Sequence, residues 1–263
     1  MGSTGTDEYR CPNCEKVINT YATECPSCWT SLTRPNVREA QRDPEQDPLQ
    51  ERYSKATQKA KNYGIEAEVS TLEGHVRASF AVINLRFGPL FQLLNDEKII
   101  YSSYERQVDA QTRVPAEKKF DVTRRQVGEM LFGGAAKNIC YAALSIDGSG
   151  LKNYGEYTIR LKDNMICSRA TLLEDNSYRF AEKHGINTQN ITDSNIPNGF
   201  RALWSDRHKI AVAKLVDQVK KGFTFTDYAK ILLDSRERKC DDDFIEVHIY
   251  GGFNILEFSK NKF

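Results

Sequence analysis

Four cysteines near the start of the chain have the spacing of a metal site. The stretch CPNCEKVINTYATECPSCW contains Cys11, Cys14, Cys25 and Cys28, two C-x-x-C pairs separated by ten residues. Each pair supplies two thiolates from one tight turn, and four thiolates are a ligand set typical of structural zinc. Because such a site has no open coordination position, we expect the zinc to hold a fold together and not to react. A redox or disulfide role is the alternative.

A second stretch, DDDFIEVHIYGG at residues 241–252, places an acid inside a predicted strand. Alternation predicts a mixed face that consists of Phe244, Glu246, His248 and Tyr250. It predicts an apolar face that consists of Ile245, Val247 and Ile249. The apolar face suits a core, and a carboxylate and an imidazole between two aromatic rings are typical of a cleft wall. A solvent-facing strand with a chance acid is the plain alternative.

The composition limits the class of protein. The chain has 263 residues, of which 40% are hydrophobic and 28% charged, and its formal net charge is +1. This is a globular composition, and its charge gives no overall attraction to nucleic acid or membranes, so such contact needs a local patch. No apolar run approaches the roughly 20 residues that span a bilayer, and no secretory signal is visible. We therefore expect a cytoplasmic protein without membrane contact.

The chain divides into three predicted segments. Residues 1–32 form the zinc ribbon, residues 33–64 a polar, proline-containing linker and helix, and residues 65–263 the folded body. Predicted strands of the body lie at 75–85, 139–146, 154–162, 165–173, 243–250 and 253–260. Predicted helices lie at 87–96, 122–132, 204–221 and 224–239, the last of them capped by Thr226.

The order of these elements indicates the fold class. Strands and helices do not alternate regularly, and the chain has neither G-x-G-x-x-G nor a P-loop motif, which argues against a Rossmann or P-loop enzyme. The prediction is an α+β protein, an N-terminal zinc ribbon plus a mixed α/β body.

Two further stretches of the body carry polar residues that folding alone does not require. SIDGSGLKNYGEYTI is a strand that enters a glycine-rich turn, and its plain interpretation is a hairpin loop. SRATLLEDNSYRF places Arg169 in a predicted strand and Ser177 at the start of a predicted helix. Its plain interpretation is a helix capped by Asn176 or Ser177.

Taken together, YGEYTIRLKDNMICSRATLLEDNS and the later DFIEVHIYGGF resemble bacterial toxins of the ADP-ribosyltransferase superfamily. The resemblance covers roughly residues 65–263 and implies a two-sheet fold that uses NAD as a substrate. It implies that Glu246 hydrogen-bonds the nicotinamide ribose, that Arg169 grips the dinucleotide, with Arg160 as the rival, and that Ser177 supports the site. The chain departs from the family pattern in having no S-T-S triplet.

The chemistry that the resemblance implies explains an isolated carboxylate. Release of nicotinamide leaves positive charge on the ribose, an oxocarbenium-like state that a fixed carboxylate stabilises. A ring can stack on nicotinamide, and the candidate is Tyr154, with Tyr101 and Tyr104 as alternatives. His248 is either a structural partner of Glu246 or a group that accepts the proton of the target.

The function expected from the resemblance is transfer of ADP-ribose from NAD to a macromolecule. Nucleic acid is the favoured acceptor because zinc ribbons often contact RNA or DNA, and a protein acceptor stays open. The family implies a toxin or phage-defence effector, with RNA modification as one activity and an antitoxin as partner. Two alternatives remain: a metal-dependent nuclease that uses the acids of CDDDFIEVH, and a non-catalytic nucleic-acid-binding adaptor.

Overall fold

The structure is a computed structural model that describes residues 9–96, 98–111, 118–186 and 196–255, with side chains except at 118–124 and 240. The helices are α1 (Pro35–Gln41), α2 (Asp43–Tyr63), α3 (Glu66–Arg77), α4 (Phe87–Asn95), α5 (Tyr104–Asp109), α6 (Lys118–Phe132), α7 (Asp163–Ile166), α8 (Ser177–Lys183), α9 (Arg207–Leu215) and α10 (Phe225–Leu232). The strands are β1 (Phe80–Leu85), β2 (Ile139–Ser145), β3 (Tyr157–Arg160), β4 (Ala170–Leu173), β5 (Arg201–Leu203), β6 (Leu233–Asp234), β7 (Asp243–Phe244) and β8 (Glu246–Tyr250). The predicted mixed α/β class is confirmed.

Six strands form one antiparallel sheet in the order β3-β1-β2-β8-β4-β5, and β6 and β7 form a separate two-stranded ladder. Strand β8 is the last in sequence, yet it lies between β2 and β4. Its register places His248 opposite Tyr141 on β2 and opposite Thr171 on β4. The two-sheet arrangement implied by the resemblance stays a prediction.

Both faces of β8 are covered, which decides the environment of Glu246. Val247 and Ile249 point into the main core, where residues of α2, α3 and α9 also pack. The opposite face meets a smaller apolar cluster that includes residues of α6 and α8. The predicted alternation of β8 is therefore observed, but the mixed face is also interior: Glu246 is only 7% exposed.

Residues 33–64 form two helices that pack on the body, whereas the sequence predicted a linker followed by a polar helix. Pro35 lies in the first turn of α1, and α2 ends at Gly64, whose φ of +66° gives the left-handed C-cap that glycine favours. Helix α2 buries Leu49, Ala56 and Ala60 in the main core. Composition concealed this contact because the buried stripe is narrow and consists mostly of alanine.

Several predicted boundaries shift in the structure. Residues 75–77, predicted to begin a strand, form the last turn of α3, and the predicted strand at 165–173 is shortened because α7 takes its first part. Thr224 caps α10 and not Thr226, since Thr224 and Asp227 form a reciprocal capping box. After the double glycine, Phe253 forms one bridge to Tyr101, and residues 256–260 of the predicted strand lie outside the described residues.

The ribbon packs against the body. Its small core consists of Cys11, Ile18, Cys25 and Leu32. Tyr21 lies over Gly133 and Gly134, and a Cβ atom added at Gly133 would lie 2.1 Å from the Tyr21 hydroxyl oxygen. A larger residue at Gly133 would have to displace the Tyr21 ring, and the φ of +50° at this position also favours glycine. In the described parts of the chain, none of the helices has the length and apolarity needed to cross a membrane.

Candidate functional site

The four predicted metal ligands lie together. The Sγ atoms of Cys11, Cys14, Cys25 and Cys28 are all within 4.8 Å of one another, and none of the four cysteines forms a disulfide. They are the only group of this kind among the described residues. Four thiolates at this separation can hold a metal ion, and this donor set suits zinc.

Two equivalent backbone turns bring the thiols together. In the first turn Glu15 N donates to Cys11 O, and in the second Trp29 N donates to Cys25 O, each at 2.9 Å. Glu15 and Trp29 both have left-handed backbone, with φ of 59° and 60°. Each C-x-x-C pair is therefore followed directly by a residue with a strained, left-handed backbone. Trp29 is 73% exposed, so its side chain does not pack to offset that strain.

The thiols affect one another's ionisation. Hydrogen bonds from the hydroxyl and the amide of Thr30 lower the pKa of Cys28 to about 5. At Cys14 a backbone hydrogen bond at Lys16 lowers the pKa, but burial and the neighbouring thiols outweigh it and raise the pKa to about 12. Adjacent thiolates repel, so the cluster resists complete ionisation until a cation supplies positive charge.

The two predicted catalytic residues are in direct contact. His248 Nε2 and Glu246 Oε2 are 2.9 Å apart, and because a carboxylate only accepts, the imidazole donates. The His248 ring is only 3% exposed. Phe132 and Tyr141 pack edge-on around it, with ring centroids at 4.8 Å and 5.3 Å from the His248 ring. The aromatic rings fix the imidazole, and the imidazole fixes one oxygen of the carboxylate.

Ser177 meets the same carboxylate through its main chain. The amide of Ser177 donates to Glu246 Oε2 at 2.9 Å. Asn176 caps helix α8 by accepting from Arg179 N at 2.9 Å, so Ser177 is the first helical residue. Oε2 therefore accepts two hydrogen bonds, whereas Oε1 has no hydrogen bond to a described residue. Glu246 is a buried carboxylate with one oxygen anchored by two hydrogen bonds and the other without a hydrogen bond to a described residue.

Arg169 lies at the other end of β4 from this site. Leu173 pairs with Glu246 and Ala170 with Ile249, so Arg169 reaches the far end of β8. Its Nη1 donates to Tyr250 O at 2.7 Å, and its Nε donates to Met165 O at 3.1 Å. The structure does not bring Arg169 to the carboxylate, and the observed role of its guanidinium is to bind backbone oxygens.

Tyr154 and Arg160, the candidate ring and the rival arginine, are placed by other contacts. Tyr154 ends a short 3₁₀ turn, and the Nζ atom of Lys239 lies 4.8 Å from the centre of its ring. Arg160 Nη2 donates to Asp147 O at 2.8 Å, in the loop after β2. No contact links either residue to Glu246 in the described residues.

A charged cluster that the sequence did not predict lies at the end of the sheet near Glu246. Lys214 on α9 donates to Asp175 Oδ1 at 2.8 Å and to Asp243 Oδ1 at 2.6 Å. Burial raises the pKa of Asp175, but the ammonium groups of Lys214 and Lys183 outweigh this effect and hold the pKa below its ordinary value. These residues line a cavity of about 330 Å³ that Arg179 also borders. The sequence does not single out Lys214, because a lysine on the polar face of an amphipathic helix is ordinary.

Each of the three aspartates before β8 has a hydrogen-bond or ion-pair partner within the protein. Asp241 accepts from Arg238 Nε at 2.6 Å, and Asp243 pairs with Lys214. Asp242 is completely buried and accepts from the backbone amide of Arg236 at 2.7 Å. A cation-binding carboxylate cluster, which the nuclease alternative requires, is therefore not formed by these residues.

No family model matches the chain, and no curated protein is significantly similar to it.

Proposed function

We propose that the chain transfers ADP-ribose from NAD to a macromolecule, with Glu246 as the charged group beside the ribose. The observation that supports this proposal is the half-anchored carboxylate: Oε2 is held by Ser177 N and His248 Nε2, and Oε1 has no hydrogen bond to a described residue. A carboxylate fixed in this way needs little reorganisation when positive charge develops next to it. The resemblance of the sequence to ADP-ribosyltransferase toxins supplies the reaction class.

In the proposed reaction the bond between the ribose C1′ and the nicotinamide nitrogen breaks, and its electron pair leaves with neutral nicotinamide. The positive charge that develops on the ribose is stabilised by the carboxylate of Glu246. A nucleophile of the acceptor then forms the new bond to C1′ and releases its proton to water. His248 positions the carboxylate, because its Nε2 is already committed to Oε2.

We infer that the four-cysteine site holds a structural zinc ion. Its four thiols leave no open coordination position, so the ion stabilises the ribbon and takes no part in transfer. Nucleic acid is the favoured acceptor because Trp29 is exposed on the ribbon, where an aromatic ring can stack on a base. A protein acceptor is the second possibility. The role as toxin or defence effector, with an antitoxin as partner, rests on the resemblance alone.

The test uses NAD labelled on the adenylate phosphate, incubated with RNA, DNA and a protein extract in separate reactions. We expect wild-type protein to label one acceptor class and to release nicotinamide, and Glu246→Gln to reduce the rate on the order of a hundredfold. Glu182→Gln, an exposed acid on α8, is the matched control and should keep the wild-type rate.

Each other outcome of that experiment has a defined meaning. If no acceptor is labelled, the proposed transfer reaction is wrong. If wild type and Glu246→Gln label the acceptor equally, Glu246 has no role in the reaction. Cleavage of RNA or DNA that depends on added magnesium would favour the nuclease, although Asp241, Asp242 and Asp243 are bound by other residues of the protein. Binding of nucleic acid without labelling or cleavage would favour the adaptor.

A further inference from the structure

Helix α1 lies between the four-cysteine site and the Glu246–His248 pair, and it carries two buried polar side chains. Asn36 is 4% exposed and Arg38 is 9% exposed. Residues two apart on a helix point roughly 200° away from each other, since each residue turns the helix by about 100°. The two side chains therefore leave α1 in nearly opposite directions, Asn36 toward the sheet and Arg38 toward the ribbon.

Asn36 binds the two strands that hold the pair. Its Nδ2 donates to His248 O at 3.1 Å, to Thr171 Oγ1 at 3.2 Å and to Arg169 O at 3.0 Å. Thr171 is the residue of β4 directly opposite His248. One amide group therefore fixes β8 and β4 at the level of the imidazole that holds Glu246.

Arg38 is bound by the main chain of the ribbon. Its guanidinium donates to the backbone oxygens of Ala22, at 3.0 Å, and of Thr20 and Thr33. Its Cζ atom lies 4.2 Å from the centre of the Tyr9 ring. A buried guanidinium requires such acceptors, because an unpaired charge in this environment is strongly unfavourable.

Two of the three acceptors of Arg38, the backbone oxygens of Thr20 and Ala22, depend on the metal ligands for their position. Thr20 and Ala22 lie in the segment that joins Cys14 to Cys25, and each end of that segment is tied into the thiol cluster. A ribbon of about 30 residues has too small a core to keep this segment in place without its metal. The chain from Cys14 to Cys25 therefore connects the thiols to the acceptors of Arg38, and α1 connects Arg38 to Asn36 and the backbone oxygen of His248.

We propose that Asn36 and Arg38 are positioning residues that couple the metal site to the Glu246–His248 pair. With metal bound, the ribbon holds Arg38, α1 stays in place and Asn36 fixes the backbone at His248. Without metal, Arg38 loses its acceptors at Thr20 and Ala22, and α1 moves away from the sheet. The inference concerns the geometry of the pair and holds whatever reaction the pair performs, so it goes beyond the proposed transfer.

The test uses nuclear magnetic resonance of protein labelled at its histidine rings. The chain has four histidines, so His248 is one reporter among four. His75 on α3 and His208 on α9 belong to helices of the opposite face of the sheet and serve as internal references. At constant pH we expect Asn36→Ala and Arg38→Met to move the ring resonances of His248 and to leave both references in place.

Glu39→Ala is the matched control on the same helix. Glu39 forms a surface ion pair with Arg42 at 3.2 Å and contacts neither strand nor ribbon loop through a hydrogen bond. We expect all four histidine resonances to stay at their wild-type positions in this variant. If Asn36→Ala does not fold, Asn36→Ser, which keeps a shorter donor, replaces it.

Metal removal completes the test. A chelator with a thiol reductant should move the His248 resonance of the wild type in the same direction as Arg38→Met does. In Asn36→Ala the same treatment should add no further movement, because the contact that transmits it is already absent. Equal chelator effects in wild type and Asn36→Ala would overturn the proposal. Collapse of all four resonances to unfolded positions would also overturn it, since the metal would then support the entire body.

Discussion

Glu246 and His248, two residues apart on β8, are joined side chain to side chain at 2.9 Å inside the protein. The pair sits between the Ser177 amide on one side and the rings of Phe132 and Tyr141 on the other. Each member of the pair satisfies the other, so a change at one residue leaves a polar group of the other without its partner.

Removal of the imidazole tests how much the pair contributes to folding. His248→Ala removes a donor from Glu246 and opens a space between Phe132 and Tyr141. We expect the free energy of unfolding to fall by about 2–4 kcal/mol, measured by urea denaturation. His75→Ala, at a half-buried histidine of α3, should cost clearly less. Equal losses in the two variants would mean that the pair is not a stabilising unit.

Metal analysis tests the ribbon. Purified, reduced protein should contain about one zinc ion per chain, and Cys14→Ser with Cys25→Ser should abolish it. Because Tyr21 and Arg38 join the ribbon to the body, the double variant should also lower the melting temperature of the body. Cys167→Ser, an exposed cysteine outside the cluster, is the control. An unchanged melting temperature would show that ribbon and body fold independently.

The ion pair between Lys214 and Asp175 should make the folding stability of the protein depend on pH. The pKa of Asp175 is lowered from its ordinary value of 3.8, so the folded state binds its proton less readily than the unfolded state does. The stabilisation is therefore complete above pH 3.8 and disappears as pH falls through the lower, folded-state pKa. Asp175→Asn should cost about 2 kcal/mol at pH 7.

Urea denaturation of wild type and Asp175→Asn from pH 7 to pH 2 measures this dependence. The two unfolding free energies should converge below pH 3.8, whereas Asp217→Asn, an exposed acid, should track the wild type throughout. A difference that stays constant with pH would contradict the ionic contribution of Asp175.

Arg169 distinguishes a structural role from the NAD-binding role that the sequence predicted. Because its guanidinium binds the backbone oxygen of Tyr250, Arg169→Ala should lower the melting temperature by roughly 4–8 °C, about 2 kcal/mol for a chain of this size. Arg160→Ala, on the exposed edge of the sheet, is the comparison. Weaker NAD binding in calorimetry with no change of melting temperature would restore the sequence-based role of Arg169.

The parts of the site that the sequence predicted are those with a short-range pattern. The C-x-x-C spacing identified all four thiols, because each pair is formed within one turn. The alternation of β8 placed Glu246 and His248 on one face because a strand has a period of two. Asn176, one of the two residues predicted to cap α8, is the cap, in line with the preference of asparagine for that position.

The parts that the sequence missed depend on contacts between distant segments. Asn36 lies in a segment that reads as a linker, and its partners are more than 130 residues away. Arg169 and Ser177 are eight residues apart in sequence, but the strand between them carries them to opposite ends of β8. Local composition carries no information about strand order, and strand order decides both cases.

The position of β8 in the sheet has a consequence for protein synthesis. Until residues 246–250 have left the ribosome, β3-β1-β2 and β4-β5 are two separate half-sheets, each with an open edge where β8 belongs. The strand that joins them is also the strand that carries Glu246 and His248. A nascent chain therefore acquires its anchored carboxylate only in the step that closes the sheet, so an unfinished copy of this protein has no assembled site.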